Sequence, residues 1–290
     1  MPASRDSVIW GADDARAWIR IPGELDDKYT HGTLGVFTGS DLYPGAAVLG
    51  VEAAARTGLG LIRYFGPVEA TRLVLERRPE VVTAAGRVDA FLIGSGVDPL
   101  ELARDEHRNA AVVDALVSGQ PVVLDAGALE LVSRSTGPTI ITPHQRELAR
   151  LMTAHGITVT AEEIYAEPGV WAAHAADELS VTIVLKGAYT HICSPATTSF
   201  EGFHARVESA TSWMATAGTG DVLAGITAAL VATHARSLGE NPHTLGPLAA
   251  TAAFLHAESA FIASAGGPLV ALDVAETLPR TIAALIAGRV

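Results

Sequence analysis

After residue 30 the sequence alternates short apolar runs with longer alanine-rich stretches, and this alternation constrains the fold more than any other feature. The short runs are rich in Val, Ile, Leu and Phe and end near glycine, proline or a polar residue, which is typical of strands buried in a parallel sheet. The candidate strands are 34–39, 60–65, 89–94, 121–126, 139–142 and 181–187. Strands that alternate with helices predict an α/β fold with a central, mainly parallel sheet sandwiched between helices.

The alanine-rich stretches carry apolar residues at three- and four-residue spacing and often end in glycine, a common helix stop. The predicted helices are 45–58, 145–156, 222–239, about 246–264 and about 273–287. No linker rich in proline, serine or glycine, no block of charge and no internal repeat divides the sequence. We therefore expect a single domain over residues 1–290, in which residues 1–30 form an N-terminal extension.

Composition and charge exclude several classes of function. The formal net charge of -12 argues against binding to the phosphate backbone of DNA or RNA, which requires accumulated lysine and arginine. Cys193 is the only cysteine, so neither an intramolecular disulfide nor a cysteine metal cluster can form. The N-terminus lacks the features of a secretory signal, and the apolar runs are broken before the roughly 18 to 20 residues of a membrane span. We expect a cytoplasmic protein without nucleic-acid or membrane partners.

The tetrapeptide Gly218-Thr219-Gly220-Asp221 stands directly before a long apolar helical segment. Glycine and threonine at a helix start leave backbone N–H groups accessible, and the helix dipole adds a partial charge of roughly +0.5 there. The loop can therefore form an anion hole, with Asp221 as a carboxylate aimed at a bound group. The alternative is that Thr219 or Asp221 caps the helix and the glycines only make a turn. The tetrapeptide alone does not separate the two.

Other loops with unusual residues fall at the ends of predicted strands, where open α/β sheets bind their ligands. They are 37–50, 93–98, 142–147 and 185–190. Lys186 and Gly187 would bring an ammonium group and bare backbone to a phosphate. Taken singly, a lysine such as Lys186 is more often a solvated side chain, and a histidine such as His144 is most often a cap or a surface residue. Their clustering at one sheet edge indicates a site for a phosphate-bearing ligand.

The better-known phosphate and hydrolase motifs are absent from the sequence. There is no P-loop, and the loop 93–98 lacks the third glycine of a dinucleotide fingerprint. Neither a G-x-S-x-G nor an H-E-x-x-H motif occurs. These absences leave open a phosphoryl-transfer reaction that does not use a Walker motif.

Taken together, the loops resemble those of the ATP- or ADP-dependent NAD(P)H-hydrate dehydratases, a branch of the ribokinase-like superfamily. The corresponding motifs occur here in the family's order: HGTLGVFTGSDLYPGAAVLG, IGSGV, VLDAGAL, ITPHQRE, VLKGAYT and SWMATAGTGD. The match spans residues 31 to about 260, and the ordered set is far more specific than any one motif. The resemblance implies a ribokinase-like fold, in agreement with the alternation of strands and helices.

The resemblance also implies three sets of site residues. The catalytic set is Asp221 as base, with Gly218, Thr219 and Gly220 as donors to the transferring phosphoryl group. The adenine-nucleotide set is Lys186, Gly187, Ala188, Tyr189, Thr190 and Gly220. The set lining the hydrated nicotinamide pocket is Ala46, Gly96 and His144, together with Asp221. The metal ligands are not assigned, although Mg²⁺ is implied as the ion that accompanies ATP or ADP.

The reaction implied is repair of a damaged cofactor. Hydrated NADH or NADPH, in its S form, carries a ring hydroxyl that leaves poorly until it is phosphorylated. Phosphoryl transfer from ATP or ADP makes it a good leaving group, and expulsion of phosphate restores the dihydropyridine. The family also implies a homo-oligomer, with a tetramer as the expected form, and a separate epimerase linked in function. Which nucleotide and which hydrate are preferred is left open.

The sequence departs from the family pattern at several presumed pocket positions. The residues after Gly94 are Ser-Gly-Val instead of Pro-Gly-Leu, Gly127 stands where the family has an acidic residue, Trp213 replaces a small residue, and Ala217 replaces a glycine. The Gly-Thr-Gly-Asp core is intact. The anion hole is therefore expected to form, and the departures bear on the substrate contacts instead.

Two other functions fit part of the pattern. A ribokinase-like kinase of a vitamin precursor or sugar would use the same machinery, since fold alone does not define function. A catalytically silent nucleotide-binding protein is favoured by the departures at Gly127, Trp213 and Ala217. Retention of Asp221 and Lys186 argues against it.

Overall fold

The computed structural model of the chain describes residues 6–97, 99–209 and 211–290. Residues 1–5 of the expected N-terminal extension and Asp98 at the end of the loop 93–98 lie outside the described residues.

One sheet organises the described part of the chain. Its strands are β1 (Val8–Ile9), β2 (Thr33–Phe37), β3 (Leu61–Tyr64), β4 (Ala90–Ile93), β5 (Val122–Leu124), β6 (Thr139–Ile141), β7 (Thr182–Leu185), β8 (Tyr189–Ser194) and β9 (Phe203–Glu208). Their spatial order is β1-β9-β8-β7-β6-β5-β4-β2-β3. The strands from β3 across to β7 run parallel, whereas β8 is antiparallel to both of its neighbours. The mainly parallel sheet predicted from the sequence is confirmed.

The sequence located β2 to β7 to within two residues at each end but missed β1, β8 and β9. The central strands are buried on both faces and therefore show continuous apolar runs. In contrast, β8 begins with exposed and half-buried residues, β9 mixes polar and apolar side chains, and β1 has only two residues, both exposed. Their pairing depends on contacts between distant segments, which the search for continuous apolar runs does not detect.

Helices cover both faces of the sheet. They are α1 (Ala12–Arg16), α2 (Pro44–Thr57), α3 (Val68–Arg77), α4 (Pro99–Leu102), α5 (Glu106–Val117), α6 (Gln145–Ala154), α7 (Ala161–Ala166), α8 (Pro168–Leu179), α9 (Thr219–Thr233), α10 (Ala235–Glu240), α11 (Leu245–Ser264) and α12 (Ala271–Ile286). Successive strand residues face opposite layers. Thus Leu92 packs among side chains of α2, α3, α9, α11 and α12, whereas Ile93 packs among those of α5, α6, α7 and α8.

The predicted helix 222–239 is two helices in the structure. The first, α9, begins three residues earlier than predicted and ends at Thr233, and α10 follows after His234. The hydroxyl of Thr233 and Nδ1 of His234 each lie 2.9 Å from the carbonyl oxygen of Leu230. Side chains therefore take up a carbonyl of the last turn, which stops the helix there.

The longest helix, α11, has the length and apolar composition of a membrane span, contrary to our expectation that the apolar runs were too short. It has 20 residues, and 72% of its apolar window is buried inside the protein. It contacts α9, α12 and β9. Its hydropathy is therefore accounted for by its position in the core.

Helices α2 and α9 approach each other closely because α9 carries glycine at the contact. A Cβ atom on Gly225 of α9 would lie 2.3 Å from the carbonyl oxygen of Gly50 on α2, closer than real Cβ atoms come. A Cβ on Gly218, which has a φ of +90°, would lie 2.4 Å from Cδ1 of Leu49. The contact fixes the amino end of α9 beside α2.

Helix α2 is itself anchored by a buried carboxylate. Glu52 is fully buried and pairs with Arg56, Arg77 and Arg78. Arg78 donates to both carboxylate oxygens, at 2.5 and 2.6 Å. Burial by itself would raise the pKa of Glu52, but the hydrogen bonds from the arginines outweigh it and lower the pKa to about 2. The cluster ties α2 to α3.

We expect Glu52→Gln to lower the free energy of unfolding by roughly 3 kcal/mol near neutral pH, since it removes the carboxylate shared by the arginines. Because the folded-state pKa is depressed, this stabilisation is complete above the ordinary pKa of 4.5 and is lost as the pH falls toward 2. Urea denaturation across that range measures both effects. Glu69→Gln, which removes an exposed pair with Arg72, is the control and should cost under about 1 kcal/mol. Equal losses in the two variants would contradict the expectation.

Candidate active site

The amino end of α9 carries no side-chain cap. Gly218 occupies the N-cap position with φ +90° and ψ -11°, and no side chain among the described residues caps the helix there. The hydroxyl of Thr219 instead donates to the carbonyl oxygens of Met214 and Thr216, at 3.1 and 3.0 Å. The interpretation of Thr219 or Asp221 as a cap is therefore wrong. The first turn keeps its backbone N–H groups for a bound anion.

Asp221 lies in this first turn and is largely shielded from solvent. Its Oδ1 accepts a hydrogen bond of 2.7 Å from the hydroxyl of Ser95, which follows β4. Burial raises the pKa of Asp221 to about 6; the nearby Asp125 carboxylate raises it further, whereas Ser95 and Lys186 lower it. A carboxylate with this pKa is mostly ionised near neutral pH and still basic enough to accept a proton.

Lys186 follows β7 and supplies the positive charge of the site. Its Nζ lies 3.0 Å from Oδ1 of Asp125 and 3.8 Å from Oε2 of Glu147. Burial lowers the pKa of Lys186, but the Asp125 carboxylate, with Glu147 and Asp221, more than offsets this, so the pKa is raised and the ammonium stays charged. A Cβ on Gly220 would lie 3.5 Å from this Nζ, which brings the ammonium to the start of α9.

Two cavities meet at the amino end of α9. The Lys186 cavity has a volume of about 760 Å³ and is lined by Lys186, Gly187, Ala188, Thr190, Thr219, Gly220, His144, His256 and further residues of β9 and the loop after it. The Asp221 cavity has a volume of about 700 Å³ and is lined by Ser40, Leu42, Tyr43, Pro44, Gly45, Ala46, Leu49, Ser95, Gly96, Ala126, Gly127, Ala217, Gly218 and Asp221. Gly218 and Asp221 face one cavity, whereas Thr219 and Gly220 face the other.

The expected site residues fall on the two cavities as sets, with two exceptions. Most of the expected nucleotide residues line the Lys186 cavity, but Tyr189 does not. Its ring is 46% exposed and lies under the guanidinium of Arg206, 5.6 Å from the ring centroid. Ala46, Gly96 and Asp221 line the Asp221 cavity, as a substrate pocket would require. His144 lies on the Lys186 cavity instead.

His144 is the N-cap of α6. Its Nδ1 accepts from the backbone N–H groups of Arg146 and Glu147, at 3.1 and 3.2 Å. The backbone N–H of His144 in turn donates to Glu147 Oε2 at 2.8 Å. Glu147 is therefore held in a capping box, facing Lys186. The motif shared with the family thus holds the loop beside the Lys186 cavity rather than reaching the Asp221 cavity.

Three further residues of the site escaped the analysis of the sequence. Asp125 directly follows β5 and is held by Thr142, whose hydroxyl donates to its Oδ1 at 2.6 Å. Its position after a buried strand was a usable signal. Ser95 is visible in the sequence only as a departure from the family's Pro-Gly-Leu motif. His256 lies on α11 at the Lys186 cavity, 6% exposed, with its Nε2 unpartnered. Burial lowers the pKa of His256 to about 4, so it is neutral.

The departures from the family pattern concentrate on one cavity. Ser95, Gly127 and Ala217 all line the Asp221 cavity. Trp213 is 48% exposed and lies between Ser212 and Met214, which line the Lys186 cavity, without lining either cavity itself.

The described residues contain no group of three or more His, Cys, Asp or Glu side chains arranged to hold a metal ion. Magnesium, however, usually keeps several waters and binds through one or two carboxylates together with phosphates. Asp125, which pairs with Lys186 at the carboxyl edge of the sheet, is of this type. The residues therefore fit an ion that arrives with a nucleotide rather than one held by the protein alone.

Comparisons with known proteins agree on one family. A family model described as NAD(P)H-hydrate dehydratase matches residues 34–280. The ADP-dependent (S)-NAD(P)H-hydrate dehydratase of Bacillus subtilis is 30% identical over 240 residues, which cover 78% of this chain and 82% of that protein. The bifunctional NAD(P)H-hydrate repair enzyme Nnr of Mycobacterium tuberculosis is 38% identical over 242 residues, 79% of this chain and 47% of that protein. The chain thus spans about half the length of the bifunctional relatives.

A solved structure extends the likeness to the fold. The crystal structure of the ADP/ATP-dependent NAD(P)H-hydrate dehydratase of Bacillus subtilis, co-crystallised with ATP and Mg²⁺, superimposes with a TM-score of 0.79. The sequence identity is 27%, and the match covers 97% of this chain and 99% of that one. The ribokinase-like fold expected from the sequence is thereby confirmed.

The buried Asp221 carboxylate should lower the free energy of unfolding. Because the folded-state pKa of Asp221 is raised to about 6 from 3.8, the cost is fully present above pH 6 and shrinks as the pH falls toward 3.8. We expect Asp221→Asn to raise the free energy of unfolding near pH 8 by about 2 kcal/mol and by less near pH 5. Urea denaturation at both pH values is the measurement. Asp114→Asn, at an exposed position on α5, should change stability by under about 0.5 kcal/mol. A destabilised Asp221→Asn would refute the account of the carboxylate.

Proposed function

The chain belongs to the NAD(P)H-hydrate dehydratase family, and from this membership and the geometry of the site we propose that it is a nucleotide-dependent dehydratase of hydrated NADH and NADPH. The substrate is the S form, and ATP or ADP donates the phosphoryl group. The observation that carries the proposal is the position of Asp221, at the uncapped end of α9 where the two cavities meet.

The Lys186 cavity would hold the adenine nucleotide. The backbone of Thr219 and Gly220 and the charged ammonium of Lys186 line its end nearest Asp221. Backbone N–H groups at a helix start and a lysine are the donors that bind phosphate oxygens in proteins. Gly187, Ala188 and Thr190 extend the lining from the turn between β7 and β8. The phosphates would therefore point toward Asp221.

The Asp221 cavity would hold the hydrated nicotinamide. Its lining combines apolar side chains, glycine backbone and the hydroxyls of serine and tyrosine, and Asp221 is the ionisable carboxylate in it. Among the described residues, none of those that line it is a lysine, arginine or histidine. This chemistry suits an uncharged dihydropyridine ring with a hydroxyl group better than a phosphate. Ala46 and Gly96 are the expected residues on its wall.

The reaction would proceed in two steps at Asp221. In the first, the carboxylate accepts the proton of the ring hydroxyl while the hydroxyl oxygen bonds to the terminal phosphorus and the bond to the nucleotide breaks. The N–H groups of Gly218, Thr219 and Gly220 and the ammonium of Lys186 stabilise the charge on the moving phosphoryl oxygens. In the second, the ring nitrogen lone pair expels phosphate and a proton leaves the neighbouring carbon, which restores the double bond. General-base help of this kind contributes roughly 10² to 10⁴-fold.

Magnesium, when bound with the nucleotide, would neutralise phosphate charge, and Asp125 is a carboxylate placed to hold it. Asp125 already accepts from Thr142 and Lys186 through Oδ1. This arrangement orients the Asp125 carboxylate toward the site.

The proposal includes the setting of the enzyme. We place the activity in a single domain over residues 1–290, in the cytoplasm, in a homo-oligomer that would be a tetramer. Exposed apolar residues on the edge strand β1, Val8 at 55% and Ile9 at 68%, support self-association. An epimerase that interconverts the two hydrate forms would supply the S form. The kinase and silent-binder alternatives gain no support from the family match.

The decisive experiment mixes the purified protein with Mg²⁺, hydrated NADH and either ATP or ADP, and follows the absorbance of the dihydronicotinamide. We expect a rise that depends on the nucleotide, and a kcat at least about 100-fold lower for Asp221→Asn. The kcat/KM should fall as the pH drops through about 6, because the carboxylate must be ionised to act as base. Folded protein that gives no rise with either nucleotide would exclude the function.

Removal of the ammonium tests the nucleotide site separately. We expect Lys186→Gln to lower kcat/KM for the nucleotide about 10- to 100-fold, with a smaller effect on the KM for the hydrate, because Lys186 faces the phosphates. The chain's other lysine, Lys28, is exposed and distant in sequence, so Lys28→Gln is the matched control. Steady-state kinetics with each substrate varied in turn is the measurement. An unchanged dependence on nucleotide in folded Lys186→Gln would remove Lys186 from the site.

A further inference from the structure

Ser95 makes the hydrogen bond that connects the Asp221 carboxylate to the sheet. Its hydroxyl donates to Oδ1 of Asp221 at 2.7 Å, across a separation of 126 residues. Ser95 stands two residues after β4, and Asp221 stands in the first turn of α9. Hydrogen bonds to charged groups are short and strong compared with those between neutral groups. The bond therefore fixes the carboxylate relative to the edge of the sheet.

The loop that carries Ser95 is held on several sides. The carbonyl oxygen of Ser95 accepts from the backbone N–H of Gly39 at 2.6 Å. The guanidinium of Arg108 donates to the carbonyl oxygens of Gly39 and Gly96, at 2.7 and 3.3 Å. Gly96 has a φ of +81°, and a Cβ there would lie 2.6 Å from the carbonyl carbon of Gly39. A loop with these constraints gives the Ser95 hydroxyl a defined position.

The bond distinguishes the two oxygens of the carboxylate. With Oδ1 accepting from Ser95, Oδ2 is the oxygen to which a substrate hydroxyl would donate its proton. Ser95 also lines the Asp221 cavity, so the bond lies on its wall. In the family pattern this position is the proline of Pro-Gly-Leu, which has no side-chain donor. The hydrogen bond is thus a property of this chain that the family motif does not supply.

We propose that Ser95 is a positioning residue, which holds Asp221 by Oδ1 so that Oδ2 faces the ring hydroxyl of the hydrated nicotinamide. The role rests on the proposed function, since it acts through the candidate base. The hydrogen bond from Ser95 favours the ionised carboxylate, whereas burial disfavours it. It thereby keeps the base both oriented and charged in a largely apolar cavity.

Other charged groups near Asp221 do not duplicate this role. Asp125, at the end of β5, raises the pKa of Asp221, and Lys186, at the end of β7, lowers it. Among the helices packed on α9, α2 brings Glu52, which is paired with arginines, and α11 brings His256, which is buried and neutral. Among the described residues, Ser95 is the side chain whose hydrogen bond to the Asp221 carboxylate the structure records.

Ser95→Ala removes the hydroxyl and little else. We expect kcat to fall roughly 10- to 100-fold, the KM for the nucleotide to stay near that of the wild type, and the acid limb of the pH profile to move to higher pH. Ser95→Thr keeps the hydroxyl and should restore most of the activity. Ser118→Ala, which removes a hydroxyl bonded within the end of α5, is the control and should leave kinetics unchanged. Thermal unfolding checks that all variants fold.

A second measurement does not depend on turnover. NMR titration of protein labelled with ¹³C at the aspartate carboxyls, with the Asp221 signal assigned from Asp221→Asn, reports the ionisation of this carboxylate directly. We expect its titration to move to higher pH in Ser95→Ala and to stay near the wild type in Ser95→Thr.

The two measurements separate the possible failures. A Ser95→Ala variant with the kcat, pH profile and Asp221 titration of the wild type overturns the proposal, and so does a moved titration with unchanged kcat in an active enzyme. If the wild-type protein has no dehydratase activity but the titration moves, the bond to Asp221 is upheld and the failure belongs to the proposed function. If the protein is inactive and the titration does not move, both fail.

Discussion

The close packing of α9 against α2 is the constraint on which the rest of the site depends. It requires glycine at position 225 of α9, because a Cβ there would fall 2.3 Å from the Gly50 carbonyl oxygen of α2. Asp221 stands four residues before Gly225 and therefore lies on the same face of α9, above the contact. With α9 held against α2, its first turn can stand at the carboxyl edge of the sheet, between the Lys186 cavity and the Asp221 cavity. Larger residues at the contact would move the carboxylate away from both.

This placement sets the charges of the site. The ends of β5 and β7 bring Asp125 and Lys186 to the same edge as α9, because parallel strands end on the same side of a sheet. Lys186 pairs with Asp125 and stays charged, whereas no cation in the described part of the chain forms an ion pair with Asp221, and burial raises its pKa. Two carboxylates within reach of one ammonium thus take different roles. Asp125 pairs with the lysine, and Asp221 is the base of the proposed reaction.

Much of this could be predicted from the sequence, and the rest could not for physical reasons. Strands that are buried on both faces have continuous apolar sequences, so β2 to β7 and the loops at their ends could be predicted. What the loops contact was not, because a side chain's partner depends on residues far along the chain. The pattern that contains His144 suggested a substrate contact, but local geometry makes His144 the cap of α6. Ser95 was visible as a departure from a motif, yet its bond to Asp221 joins residues 126 positions apart.

The departures from the family pattern leave the start of α9 intact, because they do not fall on the position there that requires a positive φ. Of the paired glycines that precede the Thr-Gly-Asp core in the family, the second corresponds to Gly218. It has a φ of +90° and abuts Leu49, so only glycine fits there. The first is Ala217 in this chain, and its φ is not in the left-handed region, so a methyl group is accommodated without strain. The substitution changes the wall of the Asp221 cavity but not the turn that starts α9. In the proposed reaction, the geometry of phosphoryl transfer and the fit of the substrate are thus separable. The first depends on Gly218 and the α2 contact, and the second can vary along the cavity wall.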